Sequence, residues 1–269
     1  MMKVENLKKN SHLTYTVTFT DSDGQTKAYV VSEDLVVSHR LIKGKALDET
    51  TFRHFLADYS IDSMLLRTQS LLSRYPKTIY ETVEYLRKLE VSESQLKLII
   101  ARLIQKRYLD DDNYVKMFIE KSFFMNGNGP LKIEFELKQK GVEDSLIKSS
   151  LEILSDAIIQ KNLNQLFDKK LPAFSSKPRA KAIILMKQYL YQKGYELSVC
   201  DGFVSKRSHL FTDDISERKL LEKDYQKYMK KLQQKELTSY ELNQKLISHL
   251  MARGYRYDTI KQYIEGRKS

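Results

Sequence analysis

The stretch "LKQKGV" (residues 137–142) returns as "LYQKGY" (190–195) and again as "LMARGY" (250–255). Taking Leu86, Leu137, Leu190 and Leu250 as one position aligns four copies. Five residues on stand Val91, Val142, Tyr195 and Tyr255; ten on, Leu96, Ile147, Cys200 and Ile260; fourteen on, Ile100, Leu151, Val204 and Ile264. Three copies carry Gly before the fifth residue (Gly141, Gly194, Gly254), and the first carries Glu90. The pattern predicts a helix, a glycine turn and a second helix. Gly just past a helix end supplies the left-handed conformation that stops it. The Val or Tyr that follows folds back on the last turn, and the later apolar positions form the inner stripe of the next helix. The copies are offset by 51, 53 and 60 residues, which leaves room for one further helix in each.

The predicted fold is therefore mainly α: tandem three-helix repeats at residues 61–109, 110–155, 156–211 and 212–269, stacked as an elongated array. A unit of about 50 residues buries too little apolar surface alone, so neighbours pack together.

Residues 1–60 read differently. "LTYTVTFT" alternates and is rich in Thr, Val and aromatics, as strands are. "DSDG" (21–24) signals a turn and "KAYVV" the return strand of a hairpin. A first strand around Lys3 to Lys8 is expected to pair with it, giving a small hairpin or three-stranded module. "SEDLVVSHRL" opens with a Ser cap and an acidic first turn, so a short helix follows. From about Asp48 onward helical periodicity dominates.

Composition supports this division. Among 269 residues there are only 9 Gly and 4 Pro, which disfavours a sandwich or barrel. A single Cys excludes an internal disulfide and a multi-Cys zinc site. The N-terminus lacks the apolar core of a signal peptide, and no apolar run approaches the roughly 18 residues of a membrane span. The expectation is a cytoplasmic protein with no membrane partner.

Candidate chemistry is sparse. Cys200 occupies an apolar repeat position and reads as core rather than reactive thiol. The histidines (12, 39, 54, 209, 249) form no His-x-x-x-His pair. "NGNGP" (126–130) lacks the Gly-Lys-Ser/Thr ending of a phosphate loop, and Pro130 suits the first turn of a helix. In "YLDDDNY" (108–114) paired carboxylates are one reading. The simpler one is a cap for the helix starting "NYVKMF", with the other Asp residues at its positive end. No catalytic residue, metal, cofactor or small-molecule substrate is expected, and so no enzyme.

Charge is uneven. Residues 1–155 carry 23 Lys and Arg against 22 Asp and Glu; residues 156–269 carry 23 against 13. A basic half points to an anionic partner. The candidates for DNA or phosphate contact are Lys177, Arg179, Lys181, Lys206, Arg207, Lys219, Lys223, Lys227 and Lys230. The last four share one face of the helix "ISERKLLEKDYQKYMKKLQQK" (215–235), opposite an apolar stripe of Leu221, Tyr225, Tyr228 and Leu232, with Glu222 and Asp224 at its flanks. Tyr interleaved with Lys in "KQYLYQKGY" (187–195) supports a second reading, a free-standing protein for single-stranded nucleic acid, although Tyr195 shares its repeat position with Val91.

Residues 65–142, with the Arg67 helix, "YLDDDNY", the Gly129 loop and "EFELKQKGV", resemble the RecX family, regulators of the RecA recombinase. The strand-rich N-terminus followed by "SEDLVV" is similar to longer members. Val115 stands where the family commonly has Ala, Asp112 extends the acidic run, and Glu90 replaces a turn Gly. The resemblance implies tandem three-helix repeats and a non-enzymatic protein. Such a protein binds the RecA filament on single-stranded DNA, suppresses its ATPase, strand exchange and coprotease functions, and so modulates recombination and the SOS response. It offers Arg67, Asp110, Asp111, Tyr114, Gly129 and Lys140 as candidates for RecA contact.

Overall fold

The computed structural model describes residues 1–10, 13–234 and 237–267; His12 lies outside them. Strands β1 (Met2–Lys9), β2 (Thr14–Thr20), β3 (Thr26–Ser32) and β4 (Ala46–Leu47) form one antiparallel sheet in the order β3-β2-β1-β4. Two expectations need correction here. The first strand pairs with β2, the outgoing strand of the hairpin, rather than with the return strand. A fourth strand also joins β1, drawn in by the bonds Val4 N–H to Lys45 O and Gly44 N–H to Val4 O, both 2.8 Å. Two residues are too short to show an alternation, so the pattern missed it. The hairpin turn is held by Asp21, whose Oδ1 accepts from the amides of Asp23 and Gln25.

Helix α1 (Glu33–Ser38) starts at its Ser32 cap, whose hydroxyl accepts from the Leu35 amide. The next helix, α2 (Glu49–Arg74), runs unbroken through residues 60 and 61. Its first half closes the sheet: Phe55 packs at 4.9 Å from Phe19 and 5.6 Å from Tyr29, ring centre to ring centre. Its second half supplies Leu65 and Leu72 to a core with Leu86, Leu96, Ile99 and Leu103. Between the halves Asp62 is buried, accepting from the amide and the hydroxyl of Ser32. One helix thus serves both the sheet and the first helical repeat.

The helices that follow come in threes, continuing from α2: α3 (Ile79–Arg87) and α4 (Glu93–Gln105); α5 (Asp111–Ile119), α6 (Pro130–Gln139) and α7 (Asp144–Leu151); α8 (Asp156–Phe174), α9 (Arg179–Gln192) and α10 (Leu197–Lys206); α11 (Asp214–Leu232), α12 (Ser239–Arg253) and α13 (Tyr257–Glu265). Compactness divides the chain into Met1–Val115 with Gln139–Glu143, and Lys116–Lys138 with Asp144–Ser269. In the first division the core of α2–α4 sits beside that of the sheet. In the second, Phe167 of α8 meets Phe203 of α10 edge-on at 5.8 Å, and α11–α13 enclose Leu221, Leu232, Leu246, Leu250, Tyr255 and Ile260. Each such side chain contributes about 1.5–3 kcal/mol when fully buried.

The aligned turn is real in all four copies. Gly141, Gly194 and Gly254 have φ of 70°, 91° and 105°, and Glu90 takes the same left-handed conformation at 57° without being glycine. The leucine at the head of each copy and the residue ten on are buried in every repeat. Beyond α5 the helix widens into a π-helical segment, Glu120–Met125, that the apolar spacing did not reveal. Asn162 Nδ2 donates to the Phe123 carbonyl there at 2.9 Å, beside the bond that carbonyl accepts from the Gly127 amide at 3.0 Å.

Candidate functional site

Three of the residues singled out in the first half, Asp111, Tyr114 and Lys140, meet at the N-terminus of α3. Thr78 caps it: its hydroxyl accepts from the Glu81 amide and donates to the Lys140 carbonyl at 2.6 Å, while Glu81 returns to the Thr78 amide. Such a capping box satisfies two orphan helix donors at once. Lys140 Nζ pairs with Glu81 Oε1 at 2.8 Å and lies over the Tyr114 ring. Asp111 Oδ1 accepts from the Ile79 amide at 2.9 Å. Burial raises the Asp111 carboxyl above its ordinary range, and the charges of Asp110, Asp112 and Glu81 add to this. The turn at Gly141 touches Tyr80 so closely that a Cβ there would stand 2.2 Å from its Cγ.

The same arrangement recurs one repeat later. The Gly129 amide donates to Lys193 O at 2.6 Å and the Leu131 amide to Gly194 O at 3.1 Å. Gly129 and Gly194 approach backbone to backbone: a Cβ on the first would lie 2.4 Å from the carbonyl oxygen of the second. Lys193 Nζ reaches across to the Asn126 carbonyl at 2.8 Å. Free amides at the start of one helix thus meet free carbonyls at the end of another, which satisfies both and aligns their dipoles head to tail. A third joint sets Lys181 of α9 against Gly254, where a Cβ would come within 2.5 Å of the lysine Cβ.

The first helical amide of α3 and of α9 meets a carboxylate from the next repeat: Ile79 finds Asp111, and Arg179 finds Glu217 Oε1 at 3.0 Å. At α6 the first helical residue is Pro130, which has no amide hydrogen and needs no such partner.

These joints absorb most of the residues marked for RecA contact. Asp110 accepts from the Asn113 amide and caps α5, as a cap reading expects, but Asp111 is spent on Ile79 rather than left at the helix end. Gly129 is buried, so its role is the close backbone approach and not direct contact with a partner. Arg67 lies exposed on α2 and makes none of these bonds. Sequence reading missed Thr78, Glu81 and Asp62; the Thr-x-x-Glu spacing at 78–81 was the available signal.

In the basic half, Lys177 and Lys206 are exposed, Arg179 is half-buried 3.7 Å from Asp214, and Lys181 packs at the third joint. Arg207 is engaged internally, donating to Asn164 Oδ1 at 2.7 Å and stacking 3.8 Å above the Phe203 ring centre. Lys219, Lys223, Lys227 and Lys230 are all exposed along α11, with Leu221 and Leu232 buried opposite and Tyr225 and Tyr228 half-buried. Asp224 does not flank that face as an open charge. It turns inward, accepting from the Tyr255 hydroxyl at 3.0 Å and from Arg253 at 2.7 Å.

Cys200 is fully buried and burial pushes its thiol up to about 11, far from thiolate chemistry. Tyr195 and Tyr255 are core residues; in "KQYLYQKGY" only Tyr191 is exposed. Among the described residues no group of three or more His, Cys, Asp or Glu side chains is arranged to hold a metal ion, and no helix is long and apolar enough to cross a membrane.

The fold and its recurring joints define a tandem helical-repeat protein. Two family descriptions match it: "RecX, second three-helix domain" over residues 110–151, which is α5–α7, and "RecX, third three-helix domain" over 217–264, which falls on α11–α13. The repeat α8–α10 stands between them. The chain is 29% identical over 246 residues to "Regulatory protein RecX" of Oceanobacillus iheyensis, covering 91% of this chain and 90% of that one. It is 24% identical over 266 residues to the protein of that name from Bacillus cereus, covering 99% and 97%. Among solved structures, "Crystal structure of regulatory protein RecX" superposes with a TM-score of 0.58 at 22% identity, over 75% of this chain and 98% of that one. RecX from Lactobacillus salivarius gives 0.50 at 23%, over 54% and 95%. The matching three-helix domains, the relatives and the solved structures together support a RecX family protein.

Proposed function

We propose that this protein is a non-enzymatic, cytoplasmic regulator that binds the RecA filament on single-stranded DNA and inhibits its ATPase, strand exchange and coprotease activities, and thereby tempers recombination and the SOS response. The observation that carries the reading is similarity along nearly the full chain to relatives named regulatory proteins. The joints support a bracing mechanism. Each repeat is pinned to a neighbour through backbone bonds and close glycine contacts, so contacts made by separate repeats with neighbouring RecA protomers resist subunit movement. In this reading the N-terminal module (1–60) and the repeats at 61–109 and 110–155 face protein, with Arg67 and Asp110 as its exposed candidates and Tyr114 and Lys140 at the edge of the first joint. The repeats at 156–211 and 212–269 face DNA phosphates or an acidic protein surface.

The test is RecA's DNA-dependent ATPase with and without the protein. Falling turnover at stoichiometric ratio is the expected result, and unchanged turnover sinks the proposal. The exposed lysine face of α11 favours one second reading, a protein acting on single-stranded nucleic acid without RecA. Co-sedimentation with RecA filaments, compared with naked single strands, separates the two.

A further inference from the structure

Each joint has two halves: the start of a repeat's second helix, and a turn in which glycine follows a basic residue. The start of α3 sits on Lys140–Gly141, that of α6 on Lys193–Gly194 and that of α9 on Arg253–Gly254. A Cβ on these glycines would stand 2.2, 2.3 and 2.5 Å from the seated helix. In the first joint the contact is made by the "TIYE" start of α3 (78–81). Thr78 donates to the Lys140 carbonyl at 2.6 Å, Tyr80 packs on Gly141, and Glu81 pairs with the Lys140 ammonium at 2.8 Å.

The second helix of the last repeat carries the same start. Residues 238–241 of α12 read "TSYE", with the same capping box between Thr238 and Glu241. Among the described residues nothing is seated there. The Thr238 hydroxyl turns back to donate to Glu241 Oε2 at 2.9 Å, and the Tyr240 hydroxyl accepts from Gln244, one turn on, at 2.6 Å. Tyr240 is 71% exposed. A capping box alone does not require the tyrosine: α4 closes one with Ser92 and Gln95 and has Ser94 at that position.

The contacts of the first joint define what fits. A left-handed glycine admits the tyrosine ring, the carbonyl before it accepts from the threonine, and the basic side chain meets the glutamate. A second copy of this chain cannot supply that end. Its three basic–glycine turns hold its own helices, and the fourth turn, Leu89–Glu90, has no basic residue before the left-handed position and carries a side chain where the seated helix would stand.

We propose that Thr238, Tyr240 and Glu241 form a docking surface for another protein, which presents a helix ending in Lys-Gly or Arg-Gly. This surface is separate from the α11 lysine face.

The test uses the full chain and a fluorescein-labelled helical peptide, three EAAAK units followed by LKQKGV, read by anisotropy. A control peptide ends instead in LRKLEV, the glycine-free turn of residues 86–91. The first should bind saturably and the second should not. Y240A removes an exposed ring and should melt like the parent, while weakening the first peptide by roughly fivefold or more, as truncation of a central contact tyrosine does. E241Q keeps the capping box, as Gln95 does in α4, and should also weaken that peptide. A peptide ending LKQQGV should bind the parent as weakly as LKQKGV binds E241Q, and the two changes together should cost nothing further, since they remove one ion pair. Failure of LKQKGV to bind, equal binding of LRKLEV, parental affinity in Y240A, or additive losses in the paired changes would each overturn the proposal.

Discussion

The backbone amide of Ile79 donates to Asp111 Oδ1 at 2.9 Å, joining the start of α3 to the start of α5 across 32 positions of sequence. Arg179 and Glu217 repeat the relationship between α9 and α11 at 3.0 Å. A carboxylate at the head of one repeat is thereby a cap for the repeat before it.

Asp111 gives two variants of opposite outcome. D111A leaves the half-buried Ile79 amide unpaired and should cost about 1–3 kcal/mol in chemical denaturation. D111N keeps an accepting oxygen and removes a charge crowded by Asp110, Asp112 and Glu81. The folded carboxyl lies above its ordinary value, so between those two values the native state holds more protons than the unfolded chain. Stability therefore falls as pH rises through that window and the cost persists above it. D111N should be at least as stable as the parent at neutral pH and lose that part of the acid-side dependence. A D111N protein as weak as D111A would show that the charge itself is needed.

Thr78 carries three duties: cap of α3, one half of a capping box, and donor to the Lys140 carbonyl. T78V keeps the shape and the backbone bond to Glu81, and removes the two bonds of the hydroxyl, from the Glu81 amide and to the Lys140 carbonyl. A loss of about 2 kcal/mol is expected, a cap and a buried hydrogen bond together. T78S should recover most of it, and equal melting of T78V and the parent would deny the joint its energetic role.

The turn glycines and Glu90 should respond with opposite signs. G194A places a Cβ 2.3 Å from the Lys132 Cβ in a backbone already left-handed, so it should cost at least about 2 kcal/mol. E90G relieves a non-glycine residue held at φ 57° and should gain about 1 kcal/mol, although glycine also loosens the unfolded chain. Thermal melting of the two variants decides it.

Why the turn was legible and the joint was not follows from the range of each interaction. Gly141, Gly194 and Gly254 answer to a helix end within their own few residues, so the repeat and its inner stripe at Leu96, Ile147, Cys200 and Ile260 stood in the sequence. The partner of Ile79 stands 32 residues away and that of Thr78 stands 62 away, and no local period encodes such pairs. The acidic run at 110–112 looked like one cap because each Asp suits a helix start; only the packing of α3 divides it into a cap for α5 and a cap for its neighbour. Asp62 was hidden for a related reason. A carboxylate inside a helical stripe reads as a surface residue until Ser32 is brought to meet it. The α11 lysines were legible because a helix face is a local property.

That face gives the last prediction. Lys219, Lys223, Lys227 and Lys230 are exposed along α11, opposite buried Leu221 and Leu232. Asp224, the nearest acid on one flank, is held by Tyr255 and Arg253 and offers the row no compensation. On the other flank Glu222 accepts a bond from Gln226. An ordinary solvated helix gains a few tenths of a kcal/mol from each i,i+4 pair of opposite sign, and this face forgoes them. Changing all four lysines to Gln should leave melting within about 0.5 kcal/mol, because Gln also favours helix and no buried atom is touched. Affinity for the filament or for single strands should fall. For naked single strands the salt slope should shrink by up to about 3 if every lysine meets a phosphate. Affinity and slope both unchanged in the fourfold variant would make this row a solvated surface, and the excess charge of residues 156–269 would then need another explanation.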